Sequence, residues 1–130
     1  MTLNLVFKKT INGHTFKDFH QFCDNKGKTI TLIETEGGRK FGAFSDKDWK
    51  GNDGWRESIN DFVFSLDLNK KYCFQGTGGS SSFVRDYCGP NFGSNISPEI
   101  HMDIYFEKNL NNGKEEFVTK ELEVYQVIIN

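Results

Sequence analysis

Apolar residues along the chain fall in short runs separated by turn-forming residues, a pattern of strands rather than of long helices. Leu3-Asn4-Leu5-Val6-Phe7 is the first run, ended by Lys8-Lys9 and the turn signal Asn12-Gly13, and reads as a strand. The period then changes. Phe16, Phe19, His20 and Cys23 recur at helical spacing, and Thr15 followed by Asp18 three positions later forms a capping-box pattern. With Gly27 as a stop, the spacing predicts one short amphipathic helix over residues 16–24. Thr29–Ile33 is β-branched, and Gly37-Gly38 turns it into a hairpin partner at Lys40–Phe44. Asp46–Asn60 is a polar loop whose two tryptophans are expected to pack over a sheet end.

Further strands are predicted at Phe62–Leu66, Tyr72–Phe74, Ser82–Tyr87 and Ile100–Phe106. The last, Glu121–Ile129, alternates Glu with Leu, Val and Tyr. Gly76–Ser82, Gly89-Pro90 with Gly93, and Asn109–Gly113 interrupt them as loops and turns. About eight strands with turns every ten to fifteen residues point to a mainly β (α+β) chain. The expected architecture is an antiparallel β-sandwich flanked by one or a few short helices. At 130 residues, with no internal repeat or linker, the chain reads as one domain over residues 1–130.

Composition changes this picture in two ways. Hydrophobic residues make up only 36% of the chain, but thirteen Phe, two Trp and four Tyr supply large buried areas for a core. The formal charge of −2, with no large cluster of Lys and Arg, argues against a nucleic-acid surface. No apolar run approaches a membrane span, and residues 1–10 do not resemble a secretory signal. Three cysteines, Cys23, Cys73 and Cys88, cannot all pair within one chain, so a cytoplasmic, reducing setting with buried thiols is expected.

The candidate chemistry is sparse. Asp46, Asp48, Gly51 and Glu57 match the spacing of a calcium-binding loop, yet Lys50 occupies a ligand position and the flanks read as strands. Calcium-dependent binding through Asp46–Glu57 is therefore one alternative to test. Gly76–Ser82 lacks the Lys-Ser/Thr ending of a phosphate loop. His20 and Cys23, with Cys73, Cys88 or His101, lack the spacing of a zinc site. A cysteine among Cys23, Cys73 and Cys88 that scavenges oxidant is a second alternative; it requires an accessible thiol of low pKa. Glu121 and Glu123 are two apart on a strand and so share a face, where they could bind a cation; the spacing favours instead the exposed edge of an amphipathic strand whose Leu122, Val124 and Val127 are expected to face inward. No complete catalytic signature or cofactor motif is found, so a non-enzymatic protein-binding domain without a cofactor is the expected class.

Five segments in order give that class a more definite form: Phe19–Thr29, Phe41–Phe44 followed by Trp49, Asp61–Leu66, Gly89–Gly93, and Leu122–Tyr125. Together they resemble the TLDc domain over about residues 3 to 128. The resemblance implies a β-sandwich without established enzymatic activity, linked to oxidation resistance and oxidative-stress defence and to binding of the vacuolar proton-pumping ATPase. Glu123 falls where the family keeps an acid in its last strand. Gly89, Pro90 and Gly93 match its turn, and Asp103 stands for the acid that follows. With Glu121, these residues form the binding surface that the resemblance and the strand pattern imply. The chain is expected to lack the helical segment that usually precedes the family's first strand. Residues 94–102 also separate the turn from Asp103 by more than the family's usual spacing.

Overall fold

Alternation at period two buries one side of the strand at residues 29–35, and of the last strand at residues 121–124, and leaves the other side half covered. The computed structural model of the chain describes residues 1–50, 54–56, 60–73, 82–84 and 119–129. Their elements are β1 (Thr2–Lys8), α1 (Lys9–Asn12), α2 (Phe16–Cys23), β2 (Thr29–Thr35), β3 (Lys40–Ser45), β4 (Gly54–Arg56), β5 (Phe62–Ser65), β6 (Lys70–Cys73), β7 (Ser82–Val84) and β8 (Thr119–Ile128). Six strands form an antiparallel sheet in the order β1-β8-β2-β3-β5-β6, while β4 and β7 pair separately. The described residues are thus mainly antiparallel sheet with two short helices, as the hydrophobic pattern indicates.

One face of the six-stranded sheet is the core. Thr29, Thr31, Ile33 and Thr35 of β2 are all buried and stand beside Phe41 and Ala43 of β3 and Leu122 and Val124 of β8. Phe7 of β1 and Val63 of β5 extend this layer. Helix α2 covers it: the Phe19 ring meets Phe7 edge-on at 6.1 Å and Trp49 at 5.7 Å. Edge-to-face contacts of this kind add to simple area burial. Trp49 is almost fully buried, and its indole N–H donates to Thr29 Oγ1 at 3.0 Å. That bond meets the hydrogen-bonding requirement that burial would otherwise leave open.

The predicted helix has the predicted cap. Thr15 Oγ1 accepts from the Asp18 amide, and the Asp18 carboxylate accepts from the Thr15 amide, so the box is reciprocal. The Thr15 side chain holds the Asp18 carboxyl below the usual carboxylate range, helped by the Thr15 amide. Gly13, at a φ of +120°, keeps the approach to this cap open, because a Cβ there would overlap the Asp18 carboxylate.

Two elements were not expected from the pattern. Lys8-Lys9 does not simply end β1: the chain continues into α1, and the Lys8 amide donates to Asn12 Oδ1 at 2.8 Å. Within the stretch read as a polar loop, residues 54–56 form β4 against β7. The strand predicted at residues 100–106 lies outside the described residues.

Candidate functional site

The face of the sheet opposite α2 carries the unusual polar residues. On β8, Glu121, Glu123 and Tyr125 alternate with the buried Leu122 and Val124. The antiparallel register sets Glu121 directly opposite Glu34 of β2, and Glu123 opposite Leu32. Glu34 in turn faces Lys40 across the β2–β3 hairpin. Like charges directly opposed on neighbouring strands are destabilising, by a few tenths to about 1 kcal/mol. The ladder is also irregular here, with a register shift between Glu34 and Thr35. Bulges of this kind often re-aim side chains beside functional sites.

These residues line a shallow cavity of about 240 Å³, formed among the described residues by Leu32, Ile33, Glu34, Lys40, Leu66, Glu121 and Glu123. Its acids have different partners. Glu121 accepts from the Thr10 amide at 3.2 Å, from the Thr10 hydroxyl and from the Leu122 amide at 3.0 Å. Partial burial opposes its ionisation, but these hydrogen bonds outweigh it and leave its pKa below the usual glutamate value. Glu123 lies 3.6 Å from Lys8 Nζ, while burial first, and then the negative Glu123, push the Tyr125 phenol upward. The Glu34 carboxylate makes no hydrogen bond or ion pair among the described residues, even with Lys40 opposite.

Helix α1 is pinned to the edge of this site. Besides the Thr10 contacts, Lys9 Nζ donates to the Thr119 carbonyl at 3.1 Å. A short turn that the sequence pattern did not reveal therefore positions Glu121. Thr10, Glu34 and Lys40 were likewise absent from the residues singled out by sequence. The period-two pattern of residues 29–34 and the hairpin at Gly37-Gly38 could have placed Glu34 beside Lys40. Their meeting with Glu121 depends on a non-local pairing that no local signal encodes.

Of the other candidates, Glu121 and Glu123 are brought together, whereas Gly89, Pro90, Gly93 and Asp103 lie outside the described residues. Asp46 and Asp48 are already engaged by the fold. Asp46 pairs with Lys28 at 3.1 Å and accepts from Asn60 at 3.2 Å, and these two partners, Asn60 foremost, lower its pKa. Asp48 accepts from the amides of Asn25, Gly27 and Lys50 at 2.8–2.9 Å. Asn25 and Gly27 both have positive φ, so Asp48 clamps the turn after α2. Glu57, the third oxygen donor of a calcium loop, lies outside the described residues.

Cys23 is fully buried in the core, and burial, followed by the negative Asp24, pushes its thiol well above the usual range. Such a thiol has little thiolate to react with oxidant. Cys73 pairs with Phe62 across β5 and β6, and Cys88 lies outside the described residues. His20 Nδ1 meets Asp24 at 2.6 Å, and no group of three or more metal-ligating side chains is found among the described residues. No described helix is long and apolar enough to cross a membrane.

The family model described as the TLDc domain matches residues 1–128, almost the whole chain. No curated protein matches it.

Proposed function

The chain belongs to the TLDc domain family, and from that premise we propose that it is a non-enzymatic binding domain that acts in oxidative-stress defence by engaging the vacuolar proton-pumping ATPase. The family, linked to oxidation resistance, consists of protein-interaction domains. The observation that carries the reading to a surface is the pair Glu121 and Glu123, which share the sheet face away from α2 and line its cavity. Their strand is anchored from behind by Leu122 and Val124 in the core. Gly89, Pro90, Gly93 and Asp103 remain further candidates for binding on the strength of the family resemblance alone.

The reading needs no cofactor and locates the protein in the cytoplasm, where the soluble sector of such a pump is exposed. The test is capture of purified proton-pumping ATPase by the intact chain, together with an assay of pump assembly. Capture should fall at least about fivefold in the double variant Glu121→Gln/Glu123→Gln, as loss of charged contacts at an interface predicts. Absence of capture by the wild-type chain would refute the pump as partner.

A further inference from the structure

Among the described residues the six-stranded sheet ends on β6 at one side and on β1 at the other, and the two strands are built differently. β6 is four residues long and begins with the exposed pair Lys70-Lys71, the short, charged form that keeps an edge from pairing. β1 is seven residues long, has no proline and carries no charge before Lys8. The lysines at its end are drawn back toward the sheet. Lys8 lies 3.6 Å from Glu123 of β8, and Lys9 Nζ donates to the Thr119 carbonyl.

An irregularity in the ladder divides the apolar residues of β1 between the two faces. Leu3 stands opposite Val127 and Leu5 opposite Tyr125, but Phe7 stands opposite Val124, one residue out of step. In a regular strand Leu3, Leu5 and Phe7 would share one face. The extra residue at Val6 lets Phe7 enter the core and leaves Leu3 and Leu5 on the other face, 44% and 51% exposed. Two leucines are thus turned out of the core beside an uncharged edge, the arrangement of a strand that accepts another strand.

We infer that β1 pairs antiparallel with β1 of a second copy of this chain, joining the two sheets about a two-fold axis at Asn4. In that register Asn4 of each copy stands opposite the other, and Leu3 of one stands opposite Leu5 of the second on the same face. The exposed leucines become each other's cross-strand partners, and Val127, beside Leu3, extends the apolar strip in each copy. A two-fold axis repeats one surface, so the match needs no second sequence. A charged foreign strand would find no counter-charge between Leu3 and Phe7, whereas the self-pair brings no charges together there. The antiparallel sense also carries the two Lys8 residues to opposite ends of the ladder. The interface is small, so the association is reversible.

The test is sedimentation velocity of the intact chain over the micromolar range, where monomer should give way to dimer as concentration rises. Leu3→Lys/Leu5→Lys should weaken the dimer at least about tenfold, as two lost apolar pairs and two gained like-charge pairs imply. Ile11→Lys, at an exposed apolar residue outside β1, should leave it unchanged. A second measurement does not depend on the lysine variant folding. Asn4→Cys should form an interchain disulfide under mild oxidation, since directly opposed strand residues lie within disulfide reach, and Ile11→Cys should not. A chain that stays monomeric at every concentration, a dimer indifferent to the lysine pair, or cross-linking no faster at residue 4 than at residue 11 would overturn the inference. A monomeric chain whose pump capture is lost in Leu3→Lys/Leu5→Lys would also overturn it and give the edge to a foreign strand. Dimerisation through β1 without pump capture would support it and remove the pump as partner.

Discussion

On the helix-covered face of the sheet, Leu122 and Val124 pack in the core with Phe7, Phe19 and Trp49, and the one indole N–H there has found Thr29. On the opposite face their sequence neighbours Glu121 and Glu123 stand beside Glu34 around a cavity that no described residue fills. A single strand, β8, thus serves a face optimised for packing and a face that keeps an unfavourable charge arrangement. Because side chains alternate, each face can be altered while the backbone supporting the other is preserved. Changes on the first should appear as lost stability. Changes on the second should appear as altered binding.

The largest expected effect tests the packed face. Phe19→Ala removes the ring that joins α2 to both Phe7 and Trp49. It should destabilise the fold by about 3–5 kcal/mol, as for large aromatic truncations in well-packed cores. Urea denaturation followed by tryptophan fluorescence measures this directly. A loss below about 1 kcal/mol would show that α2 is only loosely docked and that the contrast between the faces is overstated.

A smaller effect concerns Asp48, which joins the turn after α2 to the start of the loop that resembles a calcium site. Asp48→Ala leaves the Asn25, Gly27 and Lys50 amides without their acceptor. By analogy with loss of a helix cap, the cost should be about 1 kcal/mol. Thermal melts with and without calcium distinguish the two readings of this residue. The clamp predicts the same destabilisation in both. A calcium-induced rise in melting temperature that disappears in Asp48→Ala and in Glu57→Gln would instead establish Asp46–Glu57 as a metal loop.

What the sequence made legible follows from the range of the interactions involved. The Thr15–Asp18 box, the helix it starts and the Lys40–Phe44 hairpin partner are set by residues a few positions apart, and each is present in the fold. The shared face of Glu121 and Glu123 was legible for the same reason. Helix α1 was not, since its four residues carry no hydrophobic period and its stabilising bonds reach Thr119 and Glu121 far along the chain. The role of Glu34 was hidden similarly: β2 is flanked by β8, which is remote in sequence, and by its hairpin partner β3. Asp48 illustrates the converse. Its spacing matched a metal ligand, but three amides of the fold take its oxygens.

The smallest effect bears on the join between the two faces, where α1 holds Glu121. Thr10→Val removes the hydroxyl donor while keeping the backbone amide contact. Partial burial then counts for more in the Glu121 balance, and its pKa should rise toward the ordinary value of 4.5. Since folding depresses the pKa in the wild type, its stabilisation is complete above the ordinary unfolded value and is lost as pH falls through the lower folded value. The stability difference between wild type and Thr10→Val should therefore contain a carboxylate-dependent part, below about 1 kcal/mol for so exposed a contact, that fades with acidification through this window. An NMR pH titration of the Glu121 side chain gives the microscopic result. An unchanged Glu121 titration in Thr10→Val would show that the amides of Thr10 and Leu122 suffice, and that the α1 hydroxyl does not set the charge of Glu121.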